Sequence, residues 1–136
     1  MITLIDTSVW IDFTRRKTPE RVKRFVAPFL FDATAHLAEP VAFELLRDAT
    51  ENETSALTQH FATFPLLSTP GDLWQRAAAL GRRCRKAGCT VSSLDLLIAT
   101  VALVHRAVLV TLDENFERIG DCGGVQVKLL RRPTAK

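Results

Sequence analysis

The sequence predicts an α/β fold in which a central parallel sheet is covered by helices on both faces. Short apolar runs typical of buried strands alternate with longer segments whose apolar residues recur at helical spacing. The alternation continues along the whole chain, without a linker, an internal repeat or a low-complexity stretch. Strands that alternate with helices favour a parallel sheet with helices packed on both faces. A chain of 136 residues has the length of one domain, so we assign residues 1–136 to a single domain.

The first half of the chain begins with a strand and continues mainly as helices. Residues 1–5 form a short apolar run that predicts a buried strand, and residues 6–8 (DTS) are suited to cap a following helix. Thr18 and Pro19 predict the next helix start, with Thr18 as the cap and Pro19 in the first helical position. We expect Pro28 to disturb this helix. The other elements predicted in this half are a weak strand at 35–38, a helix from 40 to about 49 and a helix at 51–61.

The second half contains the clearest helical signals. Residues 72–87 have apolar side chains, including Cys84, at helical spacing with arginines largely elsewhere, and Gly88 ends this segment. Residues 92–105 are apolar nearly all round, which predicts a helix inside the protein. The other elements predicted here are strands at 65–68, 108–111 and 125–130 and a short helix at 113–119.

Charge and cysteine content restrict the classes of partner and compartment. The chain has 18 Lys and Arg against 15 Asp and Glu, a net charge of +3 that permits nucleic-acid binding without demonstrating it. The basic residues fall in three clusters, which are either a binding surface or a solvated face: Arg15, Arg16, Lys17, Arg21, Lys23 and Arg24; Arg82, Arg83, Arg85 and Lys86; Arg131, Arg132 and Lys136. No apolar run reaches the length of a membrane span, so we expect no membrane partner. The 3 cysteines form no CxxC pair, which favours reduced thiols and the cytoplasm.

Acidic residues occur where predicted strands end and where the apolar helix begins. Asp6 and Asp113 follow predicted strands, and Asp95 lies near the start of the helix at 92–105. Each has an ordinary alternative role, because Asp6 and Asp113 can cap helices and Asp95 can complete a capping box. The carboxyl ends of parallel strands share one edge of the sheet, where ligands bind. We therefore expect these three aspartates to lie together, joined by Glu44 from the helix after the second strand.

Four carboxylates at one edge of a sheet repel one another unless a cation neutralises them. Two carboxylates ~5 Å apart repel by about 3 kcal/mol at an effective dielectric of about 20. Either the acids lie apart and Glu44 is an ordinary exposed residue, or a hard divalent cation such as Mg²⁺ or Mn²⁺ binds them. Such an ion polarises a phosphodiester and activates water, and the basic clusters can hold a polyanionic backbone. Acids surrounded by basic residues are the electrostatic pattern of a metal-dependent nuclease.

Four stretches of the sequence match the motifs of one known family, in that family's order. They are LIDTSVWIDF at 4–13, EPVAFELL at 39–46, TVSSLDLLIATVAL at 90–103 and VLVTLDENFERI at 108–119. On these stretches the chain resembles the PIN-domain ribonucleases, in particular the VapC-type toxins of bacterial toxin–antitoxin pairs. The resemblance implies a PIN-like three-layer fold, a homodimer, and a cognate antitoxin that inhibits by inserting a segment into the active-site groove.

The resemblance also implies roles for individual residues. Asp6, Glu44, Asp95 and Asp113 would form the acidic quartet that holds Mg²⁺ or Mn²⁺. Ser8 matches a hydroxyl position of the first motif and could hydrogen-bond a ligand or a metal-bound water. The chain departs from the pattern at Asn115, where many relatives carry a further acid. A neutral amide is a weaker ligand for a hard cation, so we expect one-metal chemistry or a second ion recruited with the RNA.

We therefore expect a Mg²⁺-dependent endoribonuclease toxin in which activated water cleaves RNA phosphodiester bonds without a covalent intermediate. Arg15, Arg82 and Arg83 are candidate RNA-contacting residues. Two alternatives stay open: a catalytically degenerate PIN-like protein-binding module, and a metal-dependent nuclease or phosphatase acting on DNA or another phosphoester. Ser8 counts against phosphatases of the haloacid-dehalogenase type, which need a second aspartate at that place.

The remaining aromatic and histidine residues favour structural roles. Trp10 and Trp74 predict packing in the core or at a dimer interface rather than stacking on bases. His36, His60 and His105 accompany no nucleophile motif, so we expect them to be partly exposed structural residues.

Overall fold

One parallel sheet forms the centre of the protein. The computed structural model describes residues 1–134, so Lys136 of the C-terminal basic cluster lies outside the described residues. Within them the strands are β1 (Thr3–Ile5), β2 (Ala35–Ala38), β3 (Leu66–Leu67), β4 (Val108–Thr111) and β5 (Val127–Leu129). Their order in the sheet is β3-β2-β1-β4-β5, and every neighbouring pair is parallel. Thr3 on β1 is in register with Ala35 on β2 and with Val108 on β4.

Helices connect these strands and cover both faces of the sheet. In the described part of the chain they are α1 (Thr7–Thr14), α2 (Glu20–Leu30), α3 (Glu39–Arg47), α4 (Glu51–Phe61), α5 (Leu73–Lys86), α6 (Ser93–Val104) and α7 (Asn115–Gly123). The connections from β1 to β2 and from β2 to β3 extend the sheet on one side of β1. The connection from β3 returns to β4 on the other side of β1, and the last connection adds β5 beside β4. Because such crossovers are right-handed, α1 to α4 and α5 to α7 fall on opposite faces. Packing within each group agrees, since α1 contacts α2 and α3 whereas α5 contacts α6 and α7, and α3 also contacts α6. The predicted α/β fold is confirmed.

The core lies between the central strands and the helices on each face. Leu4, Ile5 and Leu109 on β1 and β4 are fully buried. Trp10 on α1 is 1% exposed, which confirms its predicted place in the core. Trp74 on α5 is 70% exposed, so core packing is wrong for this residue and interface packing stays a prediction. The apolar surface removed from water at these strands is the main force that holds the fold together.

Helix α2 differs from the prediction at both ends. Pro19 rather than Thr18 precedes the first helical residue, and the Pro19 carbonyl accepts a hydrogen bond from the backbone N–H of Val22 (3.0 Å). The helix then continues through Pro28 to Leu30. A proline removes one backbone donor, and at Pro28 this loss falls in the last turn, where little helix remains to be disrupted.

Two later helices also correct the prediction. Helix α7 begins at Asn115 rather than at Asp113 and continues to Gly123, after which Gly124 adopts a left-handed conformation with φ of 78°. Gly at this position ends a helix without the steric penalty that a Cβ would bring. Helix α6 is fully buried only over residues 98–102, whereas Asp95 in its first turn is half-buried and Val104 at its end is exposed. The expectation of a wholly interior helix is therefore wrong. The other helix and strand ends lie within one or two residues of the prediction.

The cysteines and histidines fit their predicted environments. Cys84 is buried, and the three histidines are partly exposed. None of the helices in residues 1–134 is both long and apolar enough to cross a membrane.

Candidate active site

The crevice at the carboxyl ends of β1 and β4 is the place where this topology favours a ligand. The chain leaves β1 towards β2 and leaves β4 towards β5, so the direction of the connections reverses between these two adjacent strands. Open parallel sheets bind ligands at such reversal points. Asp6 directly follows β1, and Asp113 comes two residues after Thr111, the end of β4. The fold thus brings these two predicted acids to one crevice.

Asp6 is a buried carboxylate held by three hydrogen bonds. Its side chain is at the N-cap of α1 and the residue is 3% exposed. Oδ2 accepts hydrogen bonds from the hydroxyl of Thr111 (2.7 Å), the hydroxyl of Ser8 (2.8 Å) and the backbone N–H of Ser8 (3.3 Å). The capping role expected as an alternative is therefore real. All three of these bonds are made to Oδ2.

Two hydroxyl groups tie the end of β1 to the end of β4. The Ser8 hydroxyl accepts a hydrogen bond from the backbone N–H of Leu112 (2.9 Å), and the Thr111 hydroxyl accepts one from the backbone N–H of Asp113 (3.0 Å). The structure therefore gives Ser8 a positioning role beside Asp6. Thr111 was not among the predicted site residues. The feature of the sequence that could have identified Thr111 is a hydroxyl group at the last position of a buried strand, two residues before an acid.

Burial makes the negative charge of Asp6 costly. Desolvation raises the pKa of Asp6 above its ordinary value of 3.8, and the hydrogen bonds from Thr111 and Ser8 oppose this rise. A buried carboxylate is stabilised by hydrogen-bond donors and, more strongly, by a bound cation. The environment of Asp6 therefore favours a positively charged ligand.

Asp95 lies close enough to the other three predicted acids for their negative charges to act on its carboxyl group. Burial of the Asp95 carboxyl in the first turn of α6 raises its pKa to about 6. The Ser92 hydroxyl lowers the pKa in part, and the negative charges of Asp6, Asp113 and Glu44 raise it further. Ser92 also caps α6 by accepting the backbone N–H of Asp95 (3.3 Å), which is one half of the capping box. Asp95 thus takes part in the cap of α6 and also lies near the other three acids.

Glu44 approaches the site from α3 and shares a small cavity with Arg15. The side chain of Glu44 is half-buried, and Arg15, Asp48 and Glu53 line the same cavity. The hydrogen bonds of Asp48 with Arg47 mainly lower the pKa of Asp48, and the charge of Arg15 lowers it further. Arg15 is therefore placed among carboxylates, which neutralise part of the charge it could offer to a nucleic acid.

The donor set fits a hard divalent cation, although the side chains do not yet surround one. Within residues 1–134, no group of three or more acidic, histidine or cysteine side chains is spaced to hold a metal ion. The acids nevertheless interact electrostatically, and carboxylate oxygens are the ligands that Mg²⁺ and Mn²⁺ prefer. The role of these side chains as metal ligands therefore stays a prediction.

Two arginines line a groove next to the first turn of α6. The groove has a volume of about 300 Å³ and lies between α5 and the segment before α6. Arg82 and Arg85 line it together with Val91 and Leu96, whereas Arg83 is absent from its wall. Arg82 thus shares a groove with Leu96, the residue after Asp95, and its contact with RNA stays a prediction. Arg85 belongs to the same predicted basic cluster but was not singled out as an RNA contact, although its spacing of three residues from Arg82 places both on one face of the helix.

A further acid of α1 binds the C-terminal segment. Asp12 is 8% exposed and accepts hydrogen bonds from Nε (2.6 Å) and Nη2 (3.2 Å) of Arg132. The hydrogen bond to Asp12 raises the pKa of the Arg132 guanidinium. Arg132, which the sequence places in a basic cluster, is therefore paired within the fold. Asp12 is the one charged residue of α1, and this is its signal in the sequence.

Comparison with known proteins agrees with this fold and shows the family to which the chain belongs. The PIN domain family model matches residues 3–121. Ribonuclease VapC11 of Mycobacterium tuberculosis and VapC ribonuclease Mb1587 of Mycobacterium bovis are each 34% identical over 133 residues, covering 94% of this chain and 98% of theirs. VapBC2 of Rickettsia felis, solved bound to a DNA fragment from its promoter, superposes with a TM-score of 0.76 at 19% identity, over 96% of this chain and 99% of that chain. VapBC-1 of nontypeable Haemophilus influenzae gives a TM-score of 0.70 at 22% identity, over 95% and 98%.

Proposed function

The chain belongs to the PIN-domain family as a relative of the VapC ribonucleases, and from this membership we propose that it is a metal-dependent endoribonuclease, the toxin of a toxin–antitoxin pair. The observation that carries the proposal is the set of four interacting carboxylates beside the point where the sheet reverses its connections. All four acids are present, which argues against the alternative of a degenerate binding module.

The residues of the site divide into ligands and positioning groups. Asp6, Asp95 and Asp113 hold Mg²⁺ or Mn²⁺, and Glu44 completes the site as a ligand, directly or through water, or orients the attacking water. When bound, the ion polarises a phosphodiester oxygen and makes water nucleophilic at neutral pH. Ser8 fixes the carboxylate of Asp6 by donating its hydroxyl proton to Oδ2 (2.8 Å). A fixed carboxylate keeps its free oxygen directed to one place, which limits the reorganisation needed during the reaction.

Asn115 supports chemistry with one resident ion. Its backbone N–H donates to Oδ1 of Asp113 (2.9 Å), and the residue is exposed at the start of α7. This bond fixes Asp113, while the amide side chain of Asn115 adds no negative charge to the site. A second ion, if used, enters with the RNA.

RNA enters along the groove beside α5. Arg82 and Arg85 line this groove next to the helix that carries Asp95, and both are exposed. Their positive charge attracts the phosphates that the acidic site repels. Arg83 and Arg15 are weaker candidates, because Arg83 is outside the groove and Arg15 lies among acids.

Cleavage of a mixed, structured RNA pool tests the nuclease. The full-length protein and its variants Asp6→Asn and Asp95→Asn are compared in Mg²⁺, Mn²⁺ and EDTA, with Asp121→Asn as the control because Asp121 is an exposed acid elsewhere on α7. We expect metal-dependent cleavage by the wild type and by the control, and its loss in the two site variants. Single-stranded DNA of matched sequence separates RNA from DNA specificity. Cleavage that survives both site substitutions would refute the acidic site.

A cognate antitoxin protein is the proposed partner and inhibitor. Solved structures with a similar fold include a toxin–antitoxin complex and a member of the VapBC family of toxin–antitoxin systems, and the acidic site is the place where we expect an inhibiting segment to bind. We place this pair in the cytoplasm, where RNA is available and thiols are kept largely reduced. A purified antitoxin is expected to suppress cleavage by wild-type protein when added in equal amounts, and cleavage that continues would contradict inhibition at this site.

An exposed apolar patch supports the proposed homodimer. Phe43 on α3 is 57% exposed and Trp74 on α5 is 70% exposed, and with Pro40 and Leu97 they line a groove of about 330 Å³. Contiguous apolar surface of this kind marks an interaction site. Light scattering during gel filtration is expected to show a dimer for the wild type and for the control Gln75→Glu, and a monomer for Trp74→Glu. A monomeric wild type at micromolar concentration would contradict this interface.

A further inference from the structure

Cys84 on α5 and Cys122 on α7 lie directly opposite each other between two helices on the same face of the sheet. Their sulfur atoms are 2.8 Å apart although the residues are separated by 38 positions in the chain. A disulfide bond has a length of ~2.05 Å, so a movement of less than about 1 Å would bring the sulfurs to bonding distance. Both thiols are free in this structure.

The backbone brings these two helices together. A Cβ at Gly123, the residue after Cys122, would clash with the Cδ1 atom of Leu80 on α5. The missing side chain at Gly123 therefore lets the end of α7 lie directly against α5. The short distance between the sulfurs follows from this close helix packing, which the surrounding core fixes.

The two thiols differ in their access to solvent. Cys122 is partly exposed, whereas Cys84 is 0% exposed. Burial raises the pKa of the Cys84 thiol to about 12, and the neighbouring thiol of Cys122 adds to this effect. Cys84 therefore stays protonated at neutral pH, and an oxidant from solvent reaches Cys122 first.

We propose that Cys84 and Cys122 form a reversible intramolecular disulfide when the protein reacts with a hydroperoxide. The Cys122 sulfur attacks one oxygen of hydrogen peroxide, the O–O bond breaks, and Cys122 sulfenic acid and water are formed. The Cys84 sulfur then attacks the Cys122 sulfur, and the hydroxyl group leaves as a second water with the proton of Cys84. The two sulfurs together lose two electrons and the peroxide gains two. A small dithiol reverses the reaction.

The cross-link would join the helices next to two of the acids. Helix α5 packs against α6, which carries Asp95, and α7 begins just after Asp113. Closing a loop of this length restricts the unfolded chain, so the midpoint of thermal unfolding should rise by on the order of 10 °C. The inference does not depend on the nuclease activity, and cytosolic disulfides of this transient kind are typical of redox sensing.

Cys89 supplies a matched control within the same region. Its backbone N–H donates to the carbonyl of Cys84 (2.8 Å) at the end of α5, so it is the nearest competing thiol in sequence. Removing the Cys89 thiol leaves the contact between Cys84 and Cys122 in place. Removing either member of the pair abolishes the cross-link.

Thiol counting and thermal unfolding of the full-length protein test the proposal. Wild type, Cys84→Ala, Cys122→Ala and Cys89→Ala are treated with equimolar hydrogen peroxide, unfolded, alkylated with a maleimide and analysed by mass spectrometry. We expect two thiols to disappear in the wild type and in Cys89→Ala, with a rise in the unfolding midpoint that dithiothreitol reverses. Each variant is compared with its own untreated sample, so a lower starting stability of Cys84→Ala does not affect the comparison.

Three outcomes would overturn the proposal. The first is a wild type that retains all of its thiols after treatment. The second is a cross-link between Cys84 and Cys89, which peptide mapping identifies. The third is further oxidation of Cys122 to a sulfinic acid, which would show that Cys84 fails to capture the sulfenic acid.

Discussion

Replacing Asp95 by asparagine removes one of the four interacting charges without changing the shape of the side chain. In the metal-free protein at pH 8 we expect this substitution to raise the free energy of unfolding. The pKa of Asp95 is raised to about 6 from an ordinary value of 3.8, so between these pH values the folded state binds more protons than the unfolded chain. The stability of the wild type therefore falls as the pH rises through this window. Asparagine does not titrate. The stability of the variant relative to the wild type should therefore rise between pH 3.8 and about pH 6 and stay constant at higher pH.

The size of the effect follows from the pKa shift and the exposure of the residue. A shift of about two pH units corresponds to about 3 kcal/mol at most. Asp95 is only half-buried, and screening by solvent reduces this to about 1–2 kcal/mol. Loss of a negative charge in the first turn of α6 offsets about 0.5 kcal/mol through the helix dipole. The net gain at pH 8 is therefore about 1 kcal/mol, and at pH 4 it should vanish or reverse slightly.

Urea unfolding in EDTA at pH 4, 6 and 8 measures this difference. Asp121→Asn, at an exposed acid of α7, shows how much a simple change of surface charge contributes. In saturating Mg²⁺ the wild type should become more stable than Asp95→Asn. An ion at a hundredfold excess over its Kd stabilises the wild type by about 2.7 kcal/mol and the variant by less. Destabilisation by Asp95→Asn of equal size at every pH would refute the acidic cluster and leave Asp95 with a capping role alone.

Three further predictions concern other contacts. Thr111→Val should lower the free energy of unfolding by about 2 kcal/mol in urea titrations, because the buried carboxylate after β1 loses its shortest hydrogen bond (2.7 Å), and Thr111→Ser should recover most of this loss. A double-mutant cycle with Asp12→Asn and Arg132→Gln should give a coupling energy of about 1 kcal/mol that decreases with salt, and zero coupling would disprove the ion pair. The double variant Arg82→Ala/Arg85→Ala should weaken RNA binding and reduce the slope of log affinity against log salt by about two, and an unchanged slope would place the RNA elsewhere.

Local signals predicted the fold because each element carries its own periodicity. The predicted strand at 108–111 and the predicted helix at 51–61 agree with the structure at both ends. In the structure a capping box of Thr50 and Glu53 fixes the start of this helix. The predicted ends of α2 and α7 were wrong, and the reasons are local as well. Pro28 falls in the last turn of its helix, and the Asp113 side chain accepts a hydrogen bond from the backbone N–H of Asn115 instead of entering the helix.

The parallel topology explains most directly why the acids at strand ends could be predicted as parts of the candidate site. Asp6 and Asp113 follow strands, and the parallel topology places such residues together whatever the details of packing. Thr111 and the pair of Asp12 with Arg132 have no local signature of comparable strength. Their contacts join positions 105 and 120 residues apart, and only the packed chain determines which donor meets which acceptor.

The neighbouring positions of β1 and β4 have a consequence for synthesis of the chain. β1 is made among the first residues, but its partner on the other side of the crevice contains Thr111, 105 positions after Asp6. A nascent chain on the ribosome therefore contains Asp6 and Glu44 long before Thr111 and the end of β4 have been synthesised. However early the first strands and helices fold, the crevice forms only after β4 has left the ribosome and paired with β1. The order of synthesis itself thus keeps the unfinished chain from presenting an assembled acidic site.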